Sequence, residues 1–331
     1  MLNQKELISL NKGEPVNHFL LLKKSEIRTT KTNKQYLYLE LGDKTLSLNA
    51  NVWDNFEGLY RQVIVGDIVK VSGSIDEFQG VPQIRINSIG KAKEKDNVSP
   101  EDFLPISMRD PEVMKKELLD RIEKITSSCL KTLMKQIYSG ERLEKFLKAP
   151  AGKSWHHSYI HGLVEHTLEI VKICDLMCNI HSEINRDLLI CGAMLHDFGK
   201  VEELSYETSF DYTDKGKLLG HIVISAMLIN EEVKNIADFP EETKNCLLHL
   251  ILSHQGKLEY ASPVVPKTIE AIALYQADEL SAKVNAYKNA VLSNQIPDSK
   301  WTKFISLAST DLYNPGVQAE EGGETNRTLF D

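Results

Sequence analysis

His196 and Asp197 stand side by side in one of the most apolar stretches of the chain, residues 188–198, and Lys200 follows two residues after Phe198. A carboxylate buried among apolar neighbours is costly unless it is paired or binds a metal. An adjacent imidazole and a nearby lysine point to a metal site that handles phosphate. More candidate ligands recur along the same half: His166, His221, His254 and Asp278, each in or beside an apolar, helix-like segment. Four imidazoles and two carboxylates are enough for two divalent cations, with water and substrate in the open positions. Two such cations share a bridging carboxylate, activate a water and steady the leaving oxygen in phosphoryl hydrolysis. Asp197 is the natural bridge. A lone histidine is more often a core or surface residue; the joint pattern carries the reading.

The elements that must position these residues differ between the two parts of the chain. Residues 16–24 form an apolar-rich run. Over 35–41, Tyr36, Tyr38 and Glu40 alternate with Leu37, Leu39 and Leu41. Gly42-Asp43 marks a turn, and 45–53 alternates again with Leu46, Leu48, Ala50 and Val52 on one face. Residues 54–60 read as a short helix or loop, and 67–74 and 83–89 as two more strands. Five short strands with one insertion after the third predict an OB-fold barrel. Residues 91–96 are a charged linker and 97–109 are irregular. From Pro111 the pattern turns helical, with Met114, Leu118, Leu119, Ile122 and Ile125 at helical spacing, and it continues to about 307. Pro266-Lys267-Thr268 reads as the start of a helix over 269–284. The expected fold class is therefore multidomain β plus α: a five-stranded barrel over 1–96, a linker and helical lead-in over 97–150, and an all-α domain over 151–312. The polar tail, 313–331, is expected to be disordered.

The composition of the 331 residues, 42% hydrophobic and 26% charged, is that of an ordinary globular protein. No apolar run reaches the ~20 residues that span a bilayer, and the first residues lack a signal-peptide pattern. Cytoplasm is the expected location. The five cysteines form no C-x-x-C pair; Cys174 and Cys178 share a helix face but read as small buried apolar residues in a reducing compartment. The net charge of −8 argues against binding nucleic acid over the whole surface. Residues 1–96 carry 14 Lys+Arg against 12 Asp+Glu, whereas 97–331 carry 25 against 35, so nucleic acid is expected at the first part or in a local cleft.

Single-strand binders combine a basic groove with aromatic stacking faces. Lys23, Lys24, Arg28, Lys31 and Lys34 cluster around the first expected strand-to-strand loop, and Tyr36 and Tyr38 lie on the polar face of the next strand. In a barrel of this kind that is the usual oligonucleotide surface; the plainer alternative is a solvated loop with two surface tyrosines. Trp53 and Phe56 read as core or as an interdomain contact.

The order His166, His196-Asp197, Asp278 resembles the HD-domain phosphohydrolase superfamily, and His221 and His254 match its two-metal members. The likeness extends to Phe103-Leu104-Pro105-Ile106-Ser107, Ala149-Pro150-Ala151-Gly152-Lys153 and His156-His157-Ser158-Tyr159. It continues through Gly162-Leu163-Val164-Glu165-His166-Thr167-Leu168 and Ile251-Leu252-Ser253-His254, then Ser262-Pro263-Val264-Val265-Pro266-Lys267-Thr268 and Ala277-Asp278-Glu279-Leu280-Ser281-Ala282-Lys283. Together these resemble the YhaM type of 3′→5′ exoribonuclease, in which an OB-fold precedes an HD domain. The resemblance implies that His166, His196, Asp197 and Asp278 hold one cation and Asp197, His221 and His254 the other. It implies two divalent cations, manganese favoured over magnesium, cobalt or iron, and Lys200 reaching a substrate phosphate. Two departures stand out. His161 takes the place of a usual glycine and reads as a loop residue or, as the alternative, an added substrate contact. Gln255 follows His254 where many relatives have a second histidine.

His156 and His157 precede the His166 segment. They read either as a phosphate contact or proton donor to the leaving oxygen, or as loop packing, with His157 favoured over His156 for the first role. His249, five residues before His254, points about 140° away on an ideal helix and reads as structural. The expected activity is 3′→5′ exonucleolysis of single-stranded RNA, with DNA as a second substrate, releasing nucleoside 5′-monophosphates. Asp197, Lys200 and His157 would act in catalysis. The choice of RNA rests on the resemblance, and a homo-oligomer is left open. Two alternatives remain: a phosphodiesterase of small nucleotides or cyclic dinucleotides, and a nucleic-acid-binding adaptor with an inactive HD domain.

Overall fold

The structure, a computed structural model, describes residues 4–316 apart from 79, 154–155, 207–209, 297–298 and 307. Five strands close a barrel: β1 (Pro15–Thr29), β2 (Gln35–Gly42), β3 (Ser47–Val52), β4 (Ile68–Phe78) and β5 (Val81–Lys91), in the order β1-β2-β3-β5-β4. A short helix, α1 (Glu57–Gln62), fills the gap between β3 and β4. All pairings are antiparallel except β3 with β5, where Asn49 faces Gln83 and Ala50 faces Ile84. The alternation seen in the sequence sets the core: Leu37, Leu39 and Leu41 point inward with Leu20, Leu22, Leu48, Ala50, Val69, Val71 and Ile84, and Phe56 plugs the barrel beside them. Each leucine, valine, isoleucine and phenylalanine among them contributes roughly 1.5–3 kcal/mol on burial. This is an OB-fold.

One difference from the sequence reading concerns β1. It runs to Thr29, pairing with β4 through its first half and with β2 through its second. Lys23, Lys24 and Arg28 therefore lie on the strand, and only Lys31 and Lys34 border the turn. A strand serving two neighbours changes its buried face partway, at the Leu22/Lys24 irregularity, so simple alternation stops marking it.

The rest is helical: α2 (Pro111–Glu123), α3 (Ser128–Ile137), α4 (Gly140–Lys148), α5 (Gly162–Ile180), α6 (Arg186–Leu195), α7 (Lys200–Glu203), then the two-residue strands β6 (Leu204–Ser205) and β7 (Asp211–Tyr212), and α8 (Asp214–Val233), α9 (Glu241–Ser253) and α10 (Ile269–Ser293). Helix α6 is buried from Asp187 to Leu195 and packs against α3, α5, α9 and α10. That central position explains why its sequence is apolar on every side. Barrel and helices meet at a small apolar cluster of Leu21, Ile68, Phe103, Leu104 and Ile160.

The helical pattern was expected to continue to about 307, but α10 ends at Ser293. Beyond it the chain makes isolated bridges, Gln295 to Thr302, Trp301 to Tyr313 and Ile305 to Thr310. Tyr313 and the buried Asn314 belong to this paired region, so the expected disorder does not begin at 313. The remainder of the expected tail, 317–331, lies outside the described residues.

Candidate metal centre

Six side chains, three from helices and three from the turns that follow two others, converge on one point. His166 comes from α5, His196 and Asp197 follow α6, His221 lies in α8, His254 follows α9, and Asp278 comes from α10. His196 and His254 use the same local device. Each directly follows the last residue of a helix and turns its ring back, so that Nδ1 lies 2.8 Å from Ala193 O and 2.7 Å from Ile251 O respectively. A carbonyl only accepts, so each Nδ1 carries the proton and each Nε2 lone pair faces inward. His221 is fixed by a carboxylate: its Nδ1 donates to Glu203 Oε1 at 3.0 Å. Helix α8 is interrupted at Gly220, whose φ is 71°. The break frees the His221 N–H, which also donates to Glu203 Oε1 at 3.0 Å.

The Asp197 carboxylate divides the cluster. Its Oδ2 lies 3.3 Å from His196 Nε2, 3.6 Å from His166 Nε2 and 2.6 Å from Lys200 Nζ. Its Oδ1 lies 3.3 Å from His221 Nε2 and 3.6 Å from His254 Nε2. Asp278 Oδ1 sits 3.2 Å from His166 Nε2 and 3.9 Å from His196 Nε2. His166, His196, His254 and Asp197 are almost completely buried. Yet Nε2 of His166, His196 and His221 and Oδ1 of Asp197 have no hydrogen-bond partner among the described residues. Imidazole lone pairs that face carboxylate oxygens in a buried site need a cation between them. The donor atoms of His166, His196 and Asp197 lie within 4.8 Å of one another, as do those of Asp197, His221 and His254. The residues present thus fit divalent metal.

The electrostatics agree. Burial lowers the pKa of His166 and His254, keeping them in the neutral form that ligates. Burial alone would raise the Asp197 pKa, but Lys200 and His196 outweigh it and hold the group well below the usual carboxylate range. Burial would likewise discharge Lys200, but the Asp197 carboxylate outweighs it and raises its pKa, so the ammonium persists.

The turn between His196 and Lys200 is braced from both sides. Gly199 N–H donates to Ser225 Oγ at 2.8 Å. A Cβ at Gly199 would stand 2.2 Å from His221 O, so only glycine lets α8 approach this closely. Beneath the turn, Phe198 stacks on Phe146 at 5.3 Å, and Tyr138 meets both rings edge-on. The Tyr138 hydroxyl donates to Met194 O.

The two histidines before α5 have the opposite arrangement to the one expected. His157 is fully buried behind His166, with Nε2 3.2 Å from Glu169 Oε1 and its backbone N–H on Asn285 Oδ1. It is not among the residues that line the cleft, where a proton donor to the leaving oxygen would have to stand. His156 does line the cleft, beside Lys200, His254 and Asp278, with its ring 5.0 Å from that of His166. Burial lowers its pKa to about 3, which makes it a neutral acceptor. Adjacent positions in an irregular loop carry no periodicity, so no sequence signal ranked the two. His161 adopts φ 68° and its ring Nδ1 donates to Leu147 O at 2.6 Å. A left-handed backbone there accounts for the glycine usual in relatives. His249 Nε2 accepts from Lys267 N–H at 2.9 Å, a structural contact.

On the barrel, Arg28, Tyr36 and Tyr38 share the outer face of β1 and β2, and Lys34 borders the turn between them. Tyr36 stacks on Trp53 at 4.6 Å, and the Arg28 guanidinium lies 3.5 Å above the Tyr38 ring. Trp53 is 45% exposed, neither core nor interdomain contact, while Phe56 is core. Several of the cations are engaged: Lys24 and Arg28 pair with Glu26, and Lys34 with Asp54. Lys23 is turned down onto Ser47 Oγ at 2.8 Å, and Lys31 stays on the exposed turn.

Two family models match the chain: an HD domain over residues 163–283 and an OB-fold nucleic acid binding domain over 24–92. Proteins named 3′-5′ exoribonuclease YhaM align over nearly the whole length. That of Listeria monocytogenes serotype 4b is 33% identical over 94% of this chain and 99% of its own. The one from a Geobacillus species is 33% identical over 97% and 99%, and the one from Bacillus subtilis 31% over 92% and 96%. Among solved structures, a domain of replication protein A from Methanococcus maripaludis covers 27% of this chain and 94% of its own at 24% identity and a TM-score of 0.22, too slight a likeness to bear on function.

Proposed function

The chain belongs to the family of YhaM 3′→5′ exoribonucleases, and from that premise we propose that it shortens single-stranded RNA from the 3′ end in the cytoplasm. Single-stranded DNA would be a second substrate and nucleoside 5′-monophosphates the products. The observation that carries this reading is the division of the Asp197 carboxylate between two sets of buried imidazoles, of which His166, His196 and His221 leave Nε2 without a hydrogen-bond partner among the described residues.

In this reading His166, His196, Asp197 and Asp278 hold one divalent cation, and Asp197, His221 and His254 hold a second, with manganese favoured. Bound there, the cations supply an activated water and positive charge at the leaving oxygen. Lys200, held on Asp197, keeps a permanent ammonium at the cleft, where it offsets charge on the phosphate under attack. Ala193, Ile251 and Glu203 hold three of the imidazoles in the tautomer that presents Nε2. His156 stays neutral in the cleft wall, with Nε2 unpartnered among the described residues and so open to a hydrogen bond from substrate. Residues 1–96 grip the strand, 97–150 join the two parts, and 151–312 carry the chemistry. Trp53 with Tyr36, and the basic turn at Lys31 and Lys34, offer stacking and charge to that strand. Among the described residues, no helix is long and apolar enough to cross a membrane.

Metal analysis of the purified protein, with turnover on an RNA strand compared with cyclic dinucleotides, tests the reading. Two bound metals and strand-selective hydrolysis are expected. Hydrolysis of dinucleotides with no action on strands would replace it with a small-nucleotide phosphodiesterase. Absence of bound metal would leave a binding adaptor.

A further inference from the structure

Beside the metal centre lies a cleft with two unlike ends. One end is Lys200, His254 and Asp278, the groups that face the reacting phosphate. The other is Tyr260, Tyr275, Ala282 and Ala286. Ala282 and Ala286 are four residues apart on α10, so their small side chains leave the helix surface open along one line. Tyr275 is brought in by a backbone that only glycine permits: Gly256 has φ 77°, and a Cβ there would lie 2.2 Å from the Tyr275 ring. Tyr260 is 52% exposed, and the Lys257 ammonium lies 5.3 Å from its ring. Lys283 stands at the same end, paired with Glu279 at 2.6 Å.

We propose that this end of the cleft is the subsite for the 3′-terminal nucleobase, with Tyr260 as its stacking face. The proposal rests on the exonuclease reading and adds where the leaving nucleotide is held. A cleft lined by two tyrosines and two alanines that continues to a phosphate-handling centre suits one nucleotide: groups for the phosphate at one end, aromatic side chains for the base at the other. Stacking on tyrosine accepts any base, because every base has a π face. The subsite therefore favours a base over no base, and discriminates little among the four. Tyr260 positions the substrate and takes no part in bond making.

The test uses the full-length protein loaded with Mn2+. The first measurement is equilibrium binding of adenosine 5′-monophosphate and of ribose 5-phosphate, which share the phosphate and sugar but differ in the base. Wild type is expected to prefer the nucleotide by roughly 10- to 100-fold, the range of one stacking contact. Tyr260→Ala should lose most of that preference and Tyr260→Phe should keep it. Equal binding of the two compounds by wild type, or an undiminished preference in Tyr260→Ala, overturns the subsite. The second measurement is single-turnover removal of the last residue from RNA ending in a normal or an abasic nucleotide. Wild type should remove the abasic end more slowly, and Tyr260→Ala should remove both ends at similar, reduced rates. An abasic end removed as fast as a normal one by wild type also overturns the proposal. If neither strand is shortened, the exonuclease reading fails, and the binding comparison still decides whether the slot takes a base.

Discussion

Glu203 Oε1 accepts two hydrogen bonds from His221, one from the backbone N–H and one from Nδ1, each 3.0 Å long. One carboxylate thus caps the helix that restarts after Gly220 and fixes the ring that it carries. Groups that orient a metal-binding histidine in this way typically contribute 10- to 100-fold to affinity. Glu203→Ala should weaken divalent cation binding by about that factor, read by titration calorimetry. Unchanged affinity would remove Glu203 from the account.

Gly199→Ala should do more damage than its one methyl suggests. The new Cβ would fall 2.2 Å from His221 O and 2.9 Å from Ser225 N, both backbone atoms that cannot swing away. Helix α8 must shift, at a cost of about 1–3 kcal/mol. Denaturant unfolding should show that loss, and metal analysis should show weaker occupancy of the set containing His221.

Lys200→Met separates charge from structure. The side chain packs in the same volume, but Asp197 Oδ2 loses the ammonium 2.6 Å away. Metal binding should be kept or tightened, because a competing cation is gone. Turnover should fall by about 100- to 1000-fold, as when a group that stabilises transition-state charge is removed. Turnover within a few-fold of wild type would show that Lys200 does not face the phosphate.

Asp187 gives a pH dependence away from the metal. Its Oδ2 accepts from Thr126 N–H at 2.8 Å, Ser127 N–H at 2.7 Å and the Thr126 hydroxyl at 2.6 Å, tying α6 to the start of α3. Burial alone would raise its pKa, but these donors outweigh it and the net shift is downward. A carboxyl held below its unfolded value, about 3.9, stabilises the fold above that pH. The contribution is lost as pH falls through the lower, folded value. Melting temperature against pH should show Asp187→Asn less stable than wild type at neutral pH, with the gap closing below about pH 4. A gap independent of pH would contradict the assignment.

The barrel face separates stacking from charge. Trp53→Ala should weaken binding of single-stranded RNA by roughly 5-fold or more without altering its dependence on salt. Replacing Lys31 and Lys34 together with alanine should lower the salt slope by up to about 1.4, since each phosphate contact on a single strand contributes ~0.7. Equal salt slopes for all three proteins would take these lysines off the RNA path.

How much of this was readable in advance depends on whether a residue belongs to a periodic element. The alternation over 35–41 was legible because one face of β2 is buried and the other is not. His166, His196, Asp197, His221, His254 and Asp278 were legible as a set because each interrupts an apolar helix or directly follows one. Glu203 was not, since a glutamate after Lys200-Val201-Glu202 looks like any solvated turn, and only the kink at Gly220 brings His221 to it. The order of His156 and His157 was unreadable because the two are adjacent in an irregular loop, where His157 takes a positive φ of 48° and no periodicity applies. Trp53 read as core or as an interdomain contact because tryptophan is highly buried on average. It lies on the outer face because it directly follows β3, opposite Tyr36. The paired region after Ser293 was hidden by scattered apolar residues that mimic a helix over a few turns.

The central claim is that the cluster around Asp197 cuts RNA from its 3′ end. A 5′-labelled single-stranded RNA, incubated with manganese, magnesium or chelator, tests it most directly, beside Asp197→Ala and the isosteric Asp197→Asn. The account predicts a metal-dependent ladder shortening from the 3′ end with wild type, and no ladder with either variant although both still bind the strand. A ladder that persists in Asp197→Asn, or internal cuts in place of stepwise shortening, would contradict it.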